Sequence, residues 1–251
     1  MKKVNYKGHF CARSEVGKVR ITNEDAVKVI VNGNGNVLLL VADGMGGHNK
    51  GDYASFETIR ILSEAFKDRK RFLNSFDAIH WIKSIANIAN TSIYNIQDND
   101  INFKGMGTTL ACALIYKDKL ILLNCGDSRI YSYKDGTLKQ LTEDQTYVNF
   151  LVKSGQITKE EALVHPQRHI LTNAIGLFPS ISVDLRRIKY EKEKLLLCTD
   201  GLYNNVSEKD ILNILNTNND VEDKADSLIN LANFNGGSDN ISLCLWEPID
   251  D

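Results

Sequence analysis

Short apolar runs rich in branched side chains recur along the chain, and their length constrains the fold more than any other feature. They occupy residues 37–42, 110–116, 120–125, 130–133, 195–198 and 241–246. Runs of this size are typical of buried strands and far shorter than the roughly 18 residues of a membrane-spanning helix. Because residues 117–119 form a short connection and Asp135-Gly136 is a turn signal, we predict an antiparallel meander over residues 108–142.

Helical periodicity occurs between these groups of strands. Apolar residues at positions 59, 62 and 66 lie three and four apart, and a longer stripe from Ile79 to Ile96 keeps the same spacing. A third stripe over 225–232 stops before Gly236-Gly237, a signal that ends helices. Since helices come in blocks rather than alternating with single strands, we predict the α+β class, with sheet packed on sheet and helices outside.

The polar stretch over residues 142–176 contains short helical patterns and no strand pattern, although it lies between two groups of strands. We predict an insertion that lies over the body of the protein, and we call residues 142–176 the flap. Long insertions of this kind are often functional. With only 3 prolines in 251 residues, no linker is evident, and we expect one domain over residues 1–251.

Charge and cysteine content restrict the partners and the compartment. The 30 Lys and Arg residues nearly balance the 32 Asp and Glu residues, which argues against a basic surface for nucleic acid or anionic lipid. The five cysteines include no CxxC pair, and four lie in apolar runs, so we predict reduced cysteines in the core. The first residues lack the apolar core of an export signal. We expect a cytoplasmic monomer without nucleic-acid or membrane partners.

Two apolar runs end in the same way, VLLLVADG at Asp43 and KLLLCTDG at Asp200. One Asp-Gly pair after a strand is more often a turn than a ligand. Two further acidic clusters also adjoin apolar runs: Asn23-Glu24-Asp25 after a short strand-like segment, and Asp239-Asn240 before the last strand. Carboxylates brought together repel each other unless a cation lies between them. Oxygen ligands suit Mg²⁺ or Mn²⁺ rather than zinc, so the sequence predicts a divalent-cation site at one edge of the sheets.

These strand ends belong to a longer, ordered set of motifs. The motifs are TNEDAV (22–27), VADGMGGHNKG (41–51), GMGTTL (105–110), NCGDSRIY (124–131), LTEDQT (141–146), HPQRHILTNAIG (165–176), CTDGLY (198–203) and GGSDNIS (236–242). The set resembles the metal-dependent protein phosphatases, the PPM or type 2C Ser/Thr phosphatase family, in their compact bacterial form. The resemblance implies a β-sandwich of two antiparallel sheets flanked by helix pairs, an α-β-β-α arrangement with a flap.

The resemblance also implies a centre of two Mn²⁺ or Mg²⁺ ions. Asp43 would bridge the two ions, the Gly44 carbonyl would bind one of them, and Asp200 and Asp239 would complete the other. A carboxylate between two cations tolerates their proximity, and water activated by such a pair attacks phosphorus in line.

Four further residues receive roles from the resemblance. Glu24 and Asp25 would act through water or behind the ligands, and Arg20 would clamp phosphate, for which a planar guanidinium is suited. Asp127, together with the acid of the CTDG strand end, would hold a third and weaker ion. The alternative for Asp127 is a turn residue whose partner is Arg129.

The sequence departs from the family pattern at two positions. Met45 stands where animal members carry a histidine proposed as general acid, and His48, three residues further on, is not assigned that role. Gln145 stands where bacterial members usually have histidine, which leaves a flap contact there open.

The implied function is removal of phosphate from phosphoserine and phosphothreonine in proteins, opposing a bacterial Ser/Thr kinase. Two alternatives stay open: a phosphatase that acts on a partner-switching regulator, and a catalytically inactive phosphatase fold used as a binding module. The inactive module would have lost one of the paired acids, and none is missing here. A haloacid-dehalogenase-type phosphatase is set aside because neither VADG nor CTDG is an Asp-x-Asp strand end.

Overall fold

The strands follow the apolar runs of the sequence. In the computed structural model, which describes residues 7–46 and 50–249, they are β1 (Gly8–Glu15), β2 (Asp25–Val31), β3 (Val37–Met45), β4 (Gly107–Thr108), β5 (Leu110–Tyr116), β6 (Lys119–Cys125), β7 (Arg129–Lys134), β8 (Thr137–Gln140), β9 (Asp184–Lys189), β10 (Lys194–Cys198) and β11 (Ile241–Pro248). The six predicted strands are confirmed to within three residues at each end.

The helices lie between groups of strands, as predicted. They are α1 (Gly51–Asp68), α2 (Ser75–Asn99), α3 (Tyr147–Lys153), α4 (Lys159–Val164), α5 (Asp200–Tyr203), α6 (Glu208–Leu215) and α7 (Val221–Phe234), with a 3-10 turn at Ile101–Phe103. The three predicted apolar stripes fall on α1, α2 and α7. No helix in the described ranges is long and apolar enough to cross a bilayer.

Two antiparallel sheets form the centre of the molecule. The first sheet has the order β1-β11-β10-β7-β8, and the second has the order β2-β3-β5-β6-β9, with β4 paired to the end of β3. Alternate residues of β3 face opposite sides: Leu39 and Val41 pack between the sheets, and Leu38 and Leu40 pack against α1 and α2. Helices α6 and α7 cover the outer face of the first sheet. The predicted α-β-β-α sandwich is therefore confirmed.

The predicted meander over residues 108–142 is wrong. Strands β5 and β6 form a hairpin in the second sheet, whereas β7 and β8 form a hairpin in the first sheet. The chain crosses between the sheets at residues 126–128, where Gly126 has a φ of 104°, a conformation that glycine adopts readily. The crossing places Asp127 between the two sheets rather than at the end of a hairpin.

Local patterns also misplaced or missed several elements. The segment before Asn23 is a turn, and the strand β2 begins at Asp25 instead of ending before it. Strands β1, β2 and β9 are edge strands that mix exposed and half-buried residues, so they lack the continuous apolar run of a central strand. The five cysteines are free and buried, in agreement with the sequence.

The flap carries α3 and α4. One isolated bridge, Thr146 with Leu171, lies within the flap, and a second, Ile175 with Thr108 of β4, joins the flap to the body. Because Thr108 also pairs with Gly44 of β3, the second bridge holds this end of the flap beside the strand end that carries Asp43.

Candidate metal centre

Adjacent strands bring four of the predicted acids to one edge of the sandwich. Asp25, the first residue of β2, lies directly opposite Asp43 of β3. Asp200 follows β10, and Asp239 precedes β11. Because β10 and β11 are antiparallel neighbours, the end of one strand lies beside the beginning of the other. The predicted convergence is therefore present in the structure.

A cavity of about 280 Å³ lies between these strand ends. Seven of the predicted site residues line it: Arg20, Glu24, Asp43, Gly44, Asp127, Asp200 and Asp239. Asp25 is not in the lining, and its carboxylate accepts a hydrogen bond from the Thr199 hydroxyl at 2.9 Å. These seven residues therefore share one cavity, and Asp25 lies outside its lining.

Burial and mutual repulsion raise the pKa of the clustered carboxyl groups. Desolvation and the neighbouring acids raise the pKa of Asp25 and of Asp127 to about 7, and that of Asp200 to about 6. The pKa of Asp43 lies well above its ordinary value for the same reasons.

One basic side chain, that of Arg20, balances these acids within the described lining. Its Nη2 atom lies 2.7 Å from the Asp239 carboxylate, and its side chain is 51% exposed. A single guanidinium cannot neutralise the five acids of the lining when they are ionised, so the ionised site has an excess of negative charge. A divalent cation would supply the missing positive charge.

The donor set fits Mg²⁺ or Mn²⁺. The acids offer oxygen alone, and within residues 7–46 and 50–249 no group of three or more acidic, histidine or cysteine side chains is placed to hold a metal ion by itself. Ions of this kind keep several water ligands and bind through one or two carboxylates each. The open arrangement therefore agrees with the donor chemistry and leaves room for water and substrate.

Backbone contacts hold Asp43 and Gly44 in place. The Thr109 hydroxyl accepts from the Asp43 N–H at 2.9 Å, and the Thr108 hydroxyl donates to the Asp43 carbonyl at 2.9 Å. A Cβ at Gly44 would clash with the backbone oxygens of Glu24 and Gly51, which both lie against this glycine. Only glycine permits this close approach, and Gly44 lines the cavity.

Asn240 is a site residue to which the sequence analysis gave no role. Its Oδ1 accepts from the Glu24 N–H at 2.9 Å, and its Nδ2 donates to the carbonyls of Val16 and Thr22 at 2.9 Å. These bonds fix the loop that carries Arg20. The one sequence signal for a role of Asn240 in the site was its position next to Asp239.

His169, from the flap, also lines the cavity, and the sequence did not predict it as a site residue.

Arg129, the alternative partner of Asp127, pairs with a different residue in the structure. Arg129 forms its ion pair with Asp144, at 2.7 Å. Asp127 lines the cavity together with Asp200, whose charge contributes to the raised pKa of Asp127.

Gln145, where the sequence left a flap contact open, connects the flap to the body. Its Oε1 accepts from the Gly126 N–H at 3.0 Å and from the Asn173 amide at 2.8 Å. Met45 lines the cavity but carries no group that donates a proton. His48 lies outside the described residues.

Similarity to known proteins agrees with this geometry. Residues 17–238 match the family described as Protein phosphatase 2C. The serine/threonine phosphatase stp of Listeria welshimeri is 38% identical over 240 residues, which cover 95% of each chain. The solved structure of serine/threonine phosphatase Stp1 from Staphylococcus aureus has a TM-score of 0.92 at 33% identity and covers 100% of this chain and 98% of its own. The catalytic domain of the phosphatase PstP, solved in complex with 2 manganese ions, has a TM-score of 0.85 at 33% identity, with 97% and 99% covered.

Proposed function

The chain belongs to the protein phosphatase 2C family and is a metal-dependent protein-serine/threonine phosphatase, and on this premise we propose which of its residues carry the reaction. The observation that supports the assignment is the cavity of about 280 Å³ with its five acids, Glu24, Asp43, Asp127, Asp200 and Asp239, and one arginine. The cofactor is Mn²⁺ or Mg²⁺. When bound, these ions supply an acidified water for attack on phosphorus and neutralise charge on the phosphoryl oxygens.

We assign the two core ions to four residues. Asp43 would hold both of them, because acidic neighbours surround its carboxylate and include both Asp200 and Asp239. The Gly44 carbonyl would hold one ion, and Asp200 and Asp239 would hold the other. Glu24, with Asp25, would orient this set and hold water at its edge.

Arg20 is assigned to phosphate binding. Its guanidinium forms an ion pair with the Asp239 carboxylate, half of the side chain is exposed, and Arg20 lines the cavity. The guanidinium can therefore bind a phosphoryl oxygen while it keeps its ion pair with Asp239. We expect Arg20→Ala to raise the KM for phosphopeptides by about tenfold, with a smaller fall in kcat, since the contact acts on ground state and transition state alike.

Steady-state kinetics with a phosphothreonine peptide measure this effect. Arg13→Ala is the matched control, because Arg13 is also a half-exposed arginine paired with an aspartate, Asp226, at 2.6 Å. A fall in kcat for Arg20→Ala at unchanged KM would show instead that Arg20 acts on the transition state alone.

Asp127 is assigned, with Asp200, to a weaker outer ion and to proton supply for the leaving group. A serine or threonine alkoxide needs a proton as it departs, whereas p-nitrophenolate leaves unprotonated. Because Met45 carries no group that donates a proton, we assign this supply to the Asp127 side of the cavity. We expect Asp127→Ala to reduce kcat/KM for a phosphopeptide at least about tenfold more than kcat/KM for p-nitrophenyl phosphate.

Both substrates are measured at saturating Mn²⁺, with bound metal counted by elemental analysis. Glu143→Ala serves as the control, because Glu143 lines the adjoining larger cavity but not the smaller one. Equal losses on both substrates would reject the role in proton supply. Loss of all bound metal would place Asp127 among the ligands of the core ions.

The substrates are phosphorylated proteins, and we infer that a bacterial Ser/Thr kinase phosphorylates them. We further infer a cytoplasmic monomer; its reduced, buried cysteines support this. Phosphoproteomics of a deletion strain tests the first inference: phosphosites should accumulate, and loss of the kinase should reverse the accumulation. Accumulation confined to one regulator would favour the partner-switching alternative. Size-exclusion chromatography should give a mass near 28.2 kDa.

A further inference from the structure

The side chain of Arg129 connects separate parts of the molecule. Its Nε and Nη2 atoms donate to the Asp144 carboxylate at 2.7 to 3.1 Å, and its Nη1 donates to the Tyr131 hydroxyl at 3.0 Å. The guanidinium carbon lies 3.6 Å from the centre of the Tyr203 ring. About one fifth of the Arg129 and Asp144 side chains is exposed. A planar group held by two partners and stacked on a third has little freedom to move.

Tyr203 connects this network to both carboxylates of the proposed outer site. It is the last residue of the short helix α5, whose first residue is Asp200. Its hydroxyl donates to the backbone carbonyl of Asp127 at 3.2 Å. A displacement of the Tyr203 ring would therefore alter the position of Asp127 relative to Asp200.

Asp144 connects the same network to the flap. Its carboxylate also accepts from the Gln140 amide at 2.9 Å. The next residue, Gln145, exchanges two hydrogen bonds of 3.0 Å with Gly126, which immediately precedes Asp127. The turn that carries Asp127 is thus held on one side by the flap and on the other by α5, and Arg129 contacts both.

Asp127 and Asp200 line the same cavity, so the contacts that hold the turn of Asp127 against α5 set the separation of these two carboxyl groups. Arg129 directs its guanidinium hydrogen bonds to Asp144 and Tyr131 rather than to the Asp127 carboxylate. The arrangement therefore favours a role in geometry over direct neutralisation of Asp127.

We propose that Arg129 is a positioning residue which, through Asp144 and Tyr203, fixes the separation of Asp127 and Asp200 and so sets the affinity of the outer divalent-ion site. This inference rests on the proposed function, which assigns an outer ion to these two carboxylates. Residues behind metal ligands typically change metal affinity by about 10- to 100-fold when they are removed.

Mn²⁺ titration of the full chain by isothermal calorimetry tests the proposal. Arg129→Met should weaken the outer site by at least about tenfold and leave the two core ions bound as in the wild type. Arg186→Met is the matched control: Arg186 donates to the Leu141 carbonyl at 3.3 Å and lies 3.9 Å from Glu143, so it contacts the beginning of the flap without contacting Asp127. This variant should bind Mn²⁺ like the wild type.

A double variant separates positioning from general stability. If Arg129 acts through Asp127, then adding Arg129→Met to Asp127→Ala should leave the ratio of phosphopeptide to p-nitrophenyl phosphate hydrolysis where Asp127→Ala alone puts it. A further fall in that ratio would overturn the proposal. An unchanged Mn²⁺ titration in folded Arg129→Met would also overturn it.

Two remaining outcomes are also decisive. If Arg129→Met does not fold, Tyr203→Phe takes its place, because it keeps the ring stack and removes the hydrogen bond to Asp127. Unchanged Mn²⁺ affinity in Tyr203→Phe would then overturn the proposal, and weakened outer-site affinity would support it. If the wild-type protein binds only two ions, the proposal fails, whereas Mn²⁺-dependent hydrolysis of phosphopeptides in the same sample would leave the proposed function standing.

Discussion

Asp43→Asn is expected to abolish phosphatase activity and, at the same time, to stabilise the metal-free protein at neutral pH. The loss of activity follows from the assigned bridging role, since, in addition to burial, the charges of Asp25, Asp127, Asp200 and Asp239 all raise the pKa of Asp43. Turnover of p-nitrophenyl phosphate should fall to below about one thousandth of wild type, which corresponds to about 4 kcal/mol of barrier. Asp239→Asn should cause a comparable loss through the second ion.

The gain in stability follows from the raised pKa of Asp43, whose causes are burial and then the charges of Asp25 and Asp200. An acid whose pKa is raised in the folded state destabilises the fold once the pH exceeds the ordinary pKa of that acid. The unfolded chain can then ionise the group, whereas ionisation in the folded state costs free energy. Asparagine has a similar size and no charge. The gain should therefore be present at pH 8 and disappear toward pH 4.

Thermal unfolding in EDTA measures the stability, where about 1 kcal/mol shifts the Tm by about 2–4 °C in a chain of this size. Asp226→Asn is the control, because Asp226 is a surface aspartate paired with Arg13, and it should change neither activity nor the pH dependence. If Asp43→Asn kept more than about a tenth of wild-type turnover, roughly 1.4 kcal/mol, Asp43 would not be a primary ligand.

The acids at the strand ends were predictable because the signal is local. An apolar strand followed by Asp-Gly appears in consecutive residues, and the ordered motifs place Asp43 and Asp200 without knowledge of their neighbours. The central strands were predictable for a related reason, since strands buried on both faces are continuous apolar runs. Edge strands such as β9, with Arg186 and Arg187 exposed, carry no such pattern.

Contacts between distant residues could not be predicted in this way. Asn240 reaches Val16 across 224 positions of the sequence, and no spacing rule connects two residues that far apart. The partner of Arg129 illustrates the same limit. The nearby Asp127 was the natural candidate, but the chain crosses from one sheet to the other at this turn and places Asp144 within reach of the guanidinium instead.

Removal of divalent ions is expected to stop the reaction completely. The described lining contains no cysteine or serine, and we assign the attacking group to water acidified by Mn²⁺ or Mg²⁺. Hydrolysis of p-nitrophenyl phosphate should therefore cease in excess EDTA and return with either ion after the chelator is removed. Full turnover in excess chelator would contradict the mechanism.

Without metal, the stability of the fold should fall as the pH rises from weakly acidic to neutral values. The folded-state pKa is about 7 for Asp25 and Asp127 and about 6 for Asp200, whereas an unfolded aspartate titrates near 3.9. Between about pH 4 and pH 7 the folded state therefore binds more protons than the unfolded chain, and its stability falls as the pH rises.

Bound Mn²⁺ should reverse this dependence, because the cation stabilises the ionised carboxylates that the metal-free fold disfavours. We expect the Tm in EDTA to fall between pH 5 and pH 7.5, and the Tm in Mn²⁺ to rise over the same range as the acids release their protons to the buffer and bind the metal. Calorimetry in two buffers of different ionisation enthalpy should detect the protons released on Mn²⁺ binding near pH 6. A Tm in EDTA that stays constant from pH 5 to pH 7.5 would contradict the raised pKa values, and with them the conclusion that these acids are held together for a cation.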